Sequence, residues 1–297
     1  MRGAPSKSHR RYAIITGDDF GFSHGVNRAI IQAHEYGILT SASLMVTGRA
    51  FDEAVALAQA HPRLAVGLHL VVVCGQTALA PCEIPHLADA AGRFPFGAFR
   101  TGLRYQFNGA ARLELRREIR AQFERFRRTG LRLSHVDGHL HMHTHPVVLR
   151  MLIELAPEFD IRVIRLPAEE FRMTRRLDRG DFLRKLLWSG IFWSLRRYSE
   201  PRLRSAGIRC VDRVYGLLAS GRMTEHYLLG LIPQIRADGV EIYLHPAIPM
   251  PGEALNGPPG AGQAELAALL SDRVRRALVA SGFELLSHND PKEMRPA

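Results

Sequence analysis

Two adjacent acids, Asp18 and Asp19, directly follow the apolar run Tyr12 to Thr16, and His69 lies near the end of a second such run, Leu64 to Leu70. A third place is denser: His135-Val-Asp-Gly-His-Leu-His-Met-His-Thr-His145 packs five histidines and Asp137 into one short segment. Alternate histidines in an extended segment point to one side, which suits a metal site, although a histidine tract is also a frequent accident of composition. Asp18-Asp19 and His69 favour the metal. An Asp with two neutral imidazoles is a usual ligand set for Zn²⁺ or a related ion that keeps open water positions. Side chains of adjacent acids diverge, so one can bind the ion while the other takes a proton. The plainer reading of the pair is a solvated turn, or a cap for the helix that starts at Ser23.

Residues so far apart meet only if the elements between them allow it. After the Tyr12–Thr16 strand, Ser23 caps a helix with Val26, Ile30 and Ala33 on its apolar face, closing at Gly37. Leu39 to Val46 reads as a strand, Phe51 to Ala60 as a helix ending before Pro62, and Leu64 to Leu70 as the next strand. Arg112 to Arg128 is an amphipathic helix with Leu115, Ile119, Phe123 and Phe126 on one face, followed by the strand Leu131 to Val136. Helix Pro146–Leu155 leads into strand Ile161–Leu166, helix Thr224–Arg236 into strand Val240–Leu244, and helix Gln263–Ala280 into strand Phe283–Leu286. Such alternation predicts an α/β fold with a parallel sheet, either a closed barrel or a doubly wound layer. Asp18, Asp19, His69, Asp137, His139, Arg165, His245, His288 and Asp290 all fall at carboxyl ends of these strands. In a parallel α/β barrel those ends share the face on which active sites are built.

At 297 residues and 46% hydrophobic content the chain can bury one large core, so a single domain is expected. Cys74, Cys82 and Cys210 match neither a disulfide framework nor a CxxC pair, and read as reduced thiols in a cytoplasmic protein. The short run after the basic first ten residues is not the core of an export signal, and no apolar run is long enough to span a bilayer. The net charge of +11 admits nucleic acid or an anionic membrane surface as partner. No nucleic-acid recognition motif, GxGxxG or Walker loop is present. A basic nucleic-acid-binding protein is nevertheless the rival of a different class, and a metal phosphoesterase is the rival among enzymes.

Thr16-Gly-Asp-Asp-Phe-Gly21, Gly37-Ile-Leu-Thr-Ser41, Ser43-Leu-Met-Val46, Gly67-Leu-His-Leu70, His135-x-Asp-x-His139 and Leu244-His-Pro246 together resemble, in order, the motifs of YdjC-like carbohydrate deacetylases. The resemblance is collinear from about Tyr12 to Pro246. It implies an irregular (β/α), TIM-like barrel and hydrolysis of the N-acetyl group of an N-acetylglucosamine-type sugar. It also implies one divalent ion, Zn²⁺ or Mg²⁺, held by Asp19, His69 and His139, with Asp18 as base and His245 as acid. Arg165, Asp137 and His288 are expected to contact substrate. Asp18 through Val46, Val71-Val-Val-Cys-Gly75 and Glu83-Ile-Pro85 resemble most the branch associated with hopanoid biosynthesis, which implies a lipid-linked sugar; chito-oligosaccharides are the alternative substrate. Many members have two adjacent histidines where this chain has His139-Leu140, so the role of that second histidine does not transfer, and His141, His143 and His145 receive none.

Between Phe171 and Ser205 ten Lys or Arg stand against Asp178, Asp181 and Glu200, a net +7, and both tryptophans, Trp188 and Trp193, fall there. The plain expectation is a barrel helix whose arginines snorkel outward from a core-facing side. The functional one is a basic amphipathic insertion beside the active-site face, touching a membrane surface.

Overall fold

The computed structural model describes residues 11–254 and 256–290. The first alternation is β1 (Arg11–Phe20), α1 (His24–Tyr36), β2 (Ser41–Leu44), α2 (Phe51–Ala60) and β3 (Ala65–Leu70). A long loop, α3 (Ala98–Phe107) and α4 (Gly109–Arg128) lead to β4 (Val136–Gly138). Next come α5 (Pro146–Phe159), α6 (Phe171–Leu177), α7 (Phe182–Ser205) and β5 (Arg213–Tyr215). The chain continues through α8 (Glu225–Leu231), β6 (Gly239–Leu244), α9 (Ala261–Leu270), α10 (Asp272–Ala280) and β7 (Phe283–Leu286). Ser23 caps α1 as expected, its side chain accepting from the Val26 amide.

All strand pairs are parallel, in the order β4-β3-β2-β1-β6-β5, with β7 also on β1. β6 runs along β1 from Tyr12 to Gly17, while β7 takes Arg11 to Ile14 and β2 takes Thr16 to Phe20. The result is a curled, barrel-like half-barrel. Between β4 and β5 the links are the isolated bridges Val136–Ile164, Val163–Arg209 and Ala168–Val214, so no continuous ladder closes it.

That gap corrects one expected strand. Residues 161–166 alternate between two neighbours: the Arg165 amide donates to Val136, whereas the Ile164 amide donates to Arg209. Pro167 then offers no N–H to extend either ladder. Strand β4 is likewise shorter and later than Leu131–Val136, because the chain reaches the sheet only where the Ser134 amide meets the Val66 carbonyl. The helix expected over 263–280 is two, since Ser271 turns extended and caps α10 by accepting from the Arg273 and Val274 amides. The one expected over 224–236 stops at Leu231, ahead of a 3₁₀ turn carrying Pro233.

Period-2 alternation sorts β1 between two environments. Ala13 and Ile15 join the large core under the helices, while Tyr12 and Ile14 face the inside of the curl with Val163, Val214 and Tyr243. Continuing the even positions puts Thr16 and Asp18 on that inner side. Ser43 on β2 and His69 on β3 bond to Asp137 on β4 there, and Glu241 on β6 accepts from Thr16, all buried. The inside of the curl is therefore apolar toward the amino ends of the strands and polar toward the carboxyl ends.

Candidate metal centre and active site

Strand alternation would turn Asp19 away from the site that Asp18 faces. Two local features prevent this: the β1–β2 register shifts between Gly17 and Phe20, and Asp19 takes a left-handed φ of 62°. Aspartate is among the few residues other than glycine that tolerate that region. Both acids are thus about 1% exposed yet line one cavity.

Asp19 Oδ1 lies 3.1 Å from His69 Nε2 and 3.1 Å from His139 Nδ1, and one ligand atom from each of the three residues falls within 4.8 Å of the others. In β3 and β4 His69 pairs in register with Asp137, whose Oδ1 receives the His69 Nδ1–H at 2.8 Å. This bond fixes the tautomer that leaves Nε2 free as a ligand, the usual arrangement behind a metal-binding histidine. Asn256 donates to Asp19 Oδ2 at 2.8 Å, fixing the remaining oxygen. A second grouping, Asp18, His69 and Asp137, has similar spacing. It already holds a cation, the Arg165 guanidinium.

Arg165 is fully buried and saturated. Its Nη1 and Nη2 donate to Asp18 Oδ2 and Oδ1 at 2.7 and 2.8 Å, Nη1 also lies 2.7 Å from Asp137 Oδ2, and Nε and Nη2 reach Glu241 Oε1 at 3.0 and 2.8 Å. The guanidinium carbon stands 4.6 Å from the Tyr243 ring centroid. The planar fork suits such bidentate pairing where a lysine would not. Three buried carboxylates, Asp18, Asp137 and Glu241, share the Arg165 guanidinium, and a fourth, Asp19, is buried next to Asp18 without contacting it. The surplus negative charge is why His69, despite burial that favours its neutral form, is held well above the ordinary histidine pKa by Asp137 and Asp19. The same field favours a divalent cation. The donor set, the tautomer and the charge balance all fit a metal at Asp19, His69 and His139.

The two aspartates titrate in opposite directions. Burial raises the Asp18 pKa and Asp137 adds to it, outweighing Arg165. Asp19 is equally buried, but His139 and His69 hold it well below the usual carboxylate range. Asp137 is held low by Arg165 and His69 against its own burial.

His245 follows β6 and lines the same cavity as Asp18. Its amide donates to Glu265 Oε2 at 2.6 Å, and its Nδ1 lies 3.9 Å from the same oxygen. The cavity holds about 580 Å³ and is walled further by Tyr243, Trp188, Phe192, Leu217 and Leu218.

Of the residues expected to contact substrate, Arg165, Asp137 and His288 are not among those lining this cavity and bond to other buried groups. His288, 2% exposed, stacks on His135 at 3.8 Å between centroids and lies 3.6 Å from Glu241 Oε2. A Cβ on Gly67 would stand 2.4 Å from His135 Nδ1, so glycine in β3 makes room for that ring. The expected alternation of the histidine tract also fails. Residues 139–144 form a 3₁₀ turn broken by left-handed Leu140 and His141, and each histidine meets a different partner. His141 Nε2 lies 2.8 Å from the Tyr243 hydroxyl, His143 Nε2 donates to the Arg165 carbonyl at 2.9 Å, and His145 caps α5.

Glu241, Glu265, Ser43 and Asn256 escaped the sequence reading. Glu241 had a legible signal, a lone acid inside the apolar strand Val240–Leu244. Asn256, in an irregular loop, had none.

The family profile described as YdjC-like protein matches residues 12–280. The chain belongs to the YdjC-like family. Carbohydrate deacetylases are among its relatives: that of Brevibacillus brevis is 43% identical over 50% of this chain and 57% of its own length. The Geobacillus stearothermophilus enzyme is 40% identical over 56% of this chain and 62% of itself, so the match spans less than two thirds of either relative. The Vibrio vulnificus carbohydrate deacetylase is 29% identical over 93% of this chain and 95% of its own. In fold, the chain is similar to an Enterococcus faecalis protein named for cellobiose-phosphate cleavage, with a TM-score of 0.70 at 23% identity over 94% and 98% of the two chains. The family expectation drawn from the collinear motifs therefore holds.

Proposed function

We propose that this YdjC-like chain, as a single (β/α)-barrel domain with a basic insertion over residues 171–205, is a metal-dependent deacetylase. Its substrate in this reading is an N-acetylglucosamine-type sugar, carried on a hopanoid lipid at the cytoplasmic side of the membrane. The observation that carries the reaction is the cavity floor, where the Asp19–His69–His139 ligand set adjoins an Asp18 carboxylate clamped by Arg165. The lipid-linked substrate is supported by the motif resemblance and by the apolar cavity wall of Trp188, Phe192, Leu217 and Leu218.

Asp19, His69 and His139 would hold the ion, which supplies polarisation of the acetyl carbonyl and a more acidic water. Arg165 fixes the Asp18 plane so that a free lone pair on a carboxylate oxygen takes the water proton as the C–O bond forms. The raised pKa of Asp18 makes it a stronger base than an ordinary aspartate. His245 on the same cavity, its backbone held by Glu265, gives a proton to the departing nitrogen as the C–N bond breaks. Acetate and the free amine are the products.

Mass spectrometry of N-acetylglucosaminyl lipid and chito-oligosaccharide reactions, run side by side with the metal-loaded protein, tests the reading. Loss of one acetyl unit that disappears in Asp18→Asn supports it. Loss from the oligosaccharide alone moves the substrate to soluble sugars, and loss from neither rejects the deacetylase.

A further inference from the structure

The cavity mouth is bordered by two helices that contribute little to the core on their outer sides. Ala98 at the start of α3, Leu140 in the turn after β4, and Trp188 on α7 all line the same cavity, and that turn packs against both helices. Phe96, Phe99, Leu103 and Phe107 are 85%, 78%, 44% and 78% exposed and recur at helical spacing, so α3 and the residue leading into it turn an apolar stripe to solvent. On α7, Leu183, Leu187 and Ile191 recur at four-residue steps and are 77%, 63% and 38% exposed, while Trp193, 62% exposed, stands on a different side of the helix, in line with Leu186 at 47%. Among the described residues fifteen large apolar side chains are exposed, and only Tyr36, Leu113 and Val279 lie outside these helices and the segments adjoining them. A concentration of this kind around one opening marks an interaction surface rather than scattered surface hydrophobes.

Its charge selects the partner. Arg100, Arg104 and Arg112 stand between residues 96 and 113 with no acid among them, and the segment around α7 carries net +7. The cations lie among the apolar groups: the Arg197 guanidinium carbon is 5.1 Å from the Trp193 ring centroid, and that of Arg175 is 5.7 Å from the Phe182 ring. Two copies meeting face to face across a two-fold axis would set these arginines against one another. No helix among the described residues is long and apolar enough to cross a membrane.

We infer that α3, the Leu140 turn and α7 form a two-pronged docking surface that seats the cavity mouth on an anionic lipid bilayer. Apolar side chains enter the acyl boundary and arginines meet the headgroups, each worth roughly fivefold in partitioning. The inference rests on the exposed surface and not on the reaction proposed above, because binding is read without turnover.

The test uses the intact chain, whose two tryptophans both lie in this surface. Mixing with phosphatidylcholine–phosphatidylglycerol vesicles at low salt is expected to shift tryptophan emission to the blue and to make it quenchable by brominated acyl chains. Salt and pure phosphatidylcholine should both reduce the effect. Co-sedimentation of Phe99→Ser/Phe107→Ser and of Leu187→Ser/Trp193→Ser should each show binding about tenfold weaker or less, by loss of two buried apolar groups. No emission shift with anionic vesicles at low salt overturns the inference, as does equal affinity for neutral vesicles or full binding by both variants. A concentration-dependent dimer dispersed by the same substitutions would also overturn it, assigning the face to a second copy.

Discussion

The floor and the mouth of the cavity solve opposite problems. At the floor, Arg165 ties Asp18, Asp137 and Glu241 from three strands into one buried network, where removing any member strands a charge in a region of low dielectric. At the mouth, α3 and α7 leave large apolar side chains in water, where removing one leaves the interior untouched. Substitutions at the floor should therefore register in folding and chemistry, and substitutions at the mouth only in association.

Arg165→Met is the most damaging way to break that contrast. It leaves three buried carboxylates without their counter-charge and should cost about 3–5 kcal/mol in chemical denaturation. Arg165→Lys should recover only part of this, because one ammonium cannot reproduce the fork that spans Asp18 and Glu241. A wild-type denaturation midpoint in Arg165→Met would show that the floor is not built around this residue.

Asp18→Asn should lower turnover by about 10²–10⁴-fold while bound metal, measured by elemental analysis, stays at the wild-type level. His69→Ala should lose the metal instead, because one of three protein ligands is gone. Metal retained in both, or lost from both, would erase the division of labour between the adjacent aspartates.

Acid should act on the floor in two stages. His143 is buried and held neutral, its pKa lowered from 6.5 to about 4 by burial, so its stabilising contribution is complete above pH 6.5 and is lost as pH falls toward 4. The loss is on the order of 3 kcal/mol, because the unfolded chain binds the proton first. Glu241 is held low by Arg165 and His288 against its burial, so its contribution fades only below the ordinary glutamate range. Denaturation midpoints from neutral to acid pH should show the first stage, and His143→Gln should reduce it without abolishing it, because His135 and His141 are held low by burial as well. Midpoints independent of pH between 6.5 and 4 would contradict the buried neutral assignment.

Phe99→Ser is expected to have the smallest effect on stability, within about 0.5 kcal/mol by thermal melting, since its ring is 78% exposed. A large loss would mean that the mouth shares the floor's role in folding and is not a separate surface.

Much of the floor was legible because residue types and strand ends are local properties. The expectation that Asp19, His69 and His139 approach one another came from motif order, and the three do converge within 4.8 Å. Arg165, Asp137 and His288 were found at the right end of the right elements, and the structure shows each bonded to other buried groups. Whether a polar group faces a ligand or another buried group depends on what the rest of the chain places opposite it. The basic segment over 171–205 was legible in charge, whereas the stripe on α3 lies between Leu70 and Arg112, a stretch for which no element was expected.

What the sequence determined by itself was most of the run of alternating elements and, through the two-residue strand period, that Tyr12, Ile14, Thr16 and Asp18 share one side of their strand. Those follow from backbone geometry within a few residues. Only the tertiary structure decided that Asp19 turns into the same cavity through a left-handed φ, which histidine of the tract reaches it, and that Arg165 is locked behind Asp18, 147 residues away in the chain. Each of these depends on atoms brought together when the sheet curls, and no local periodicity encodes that distance.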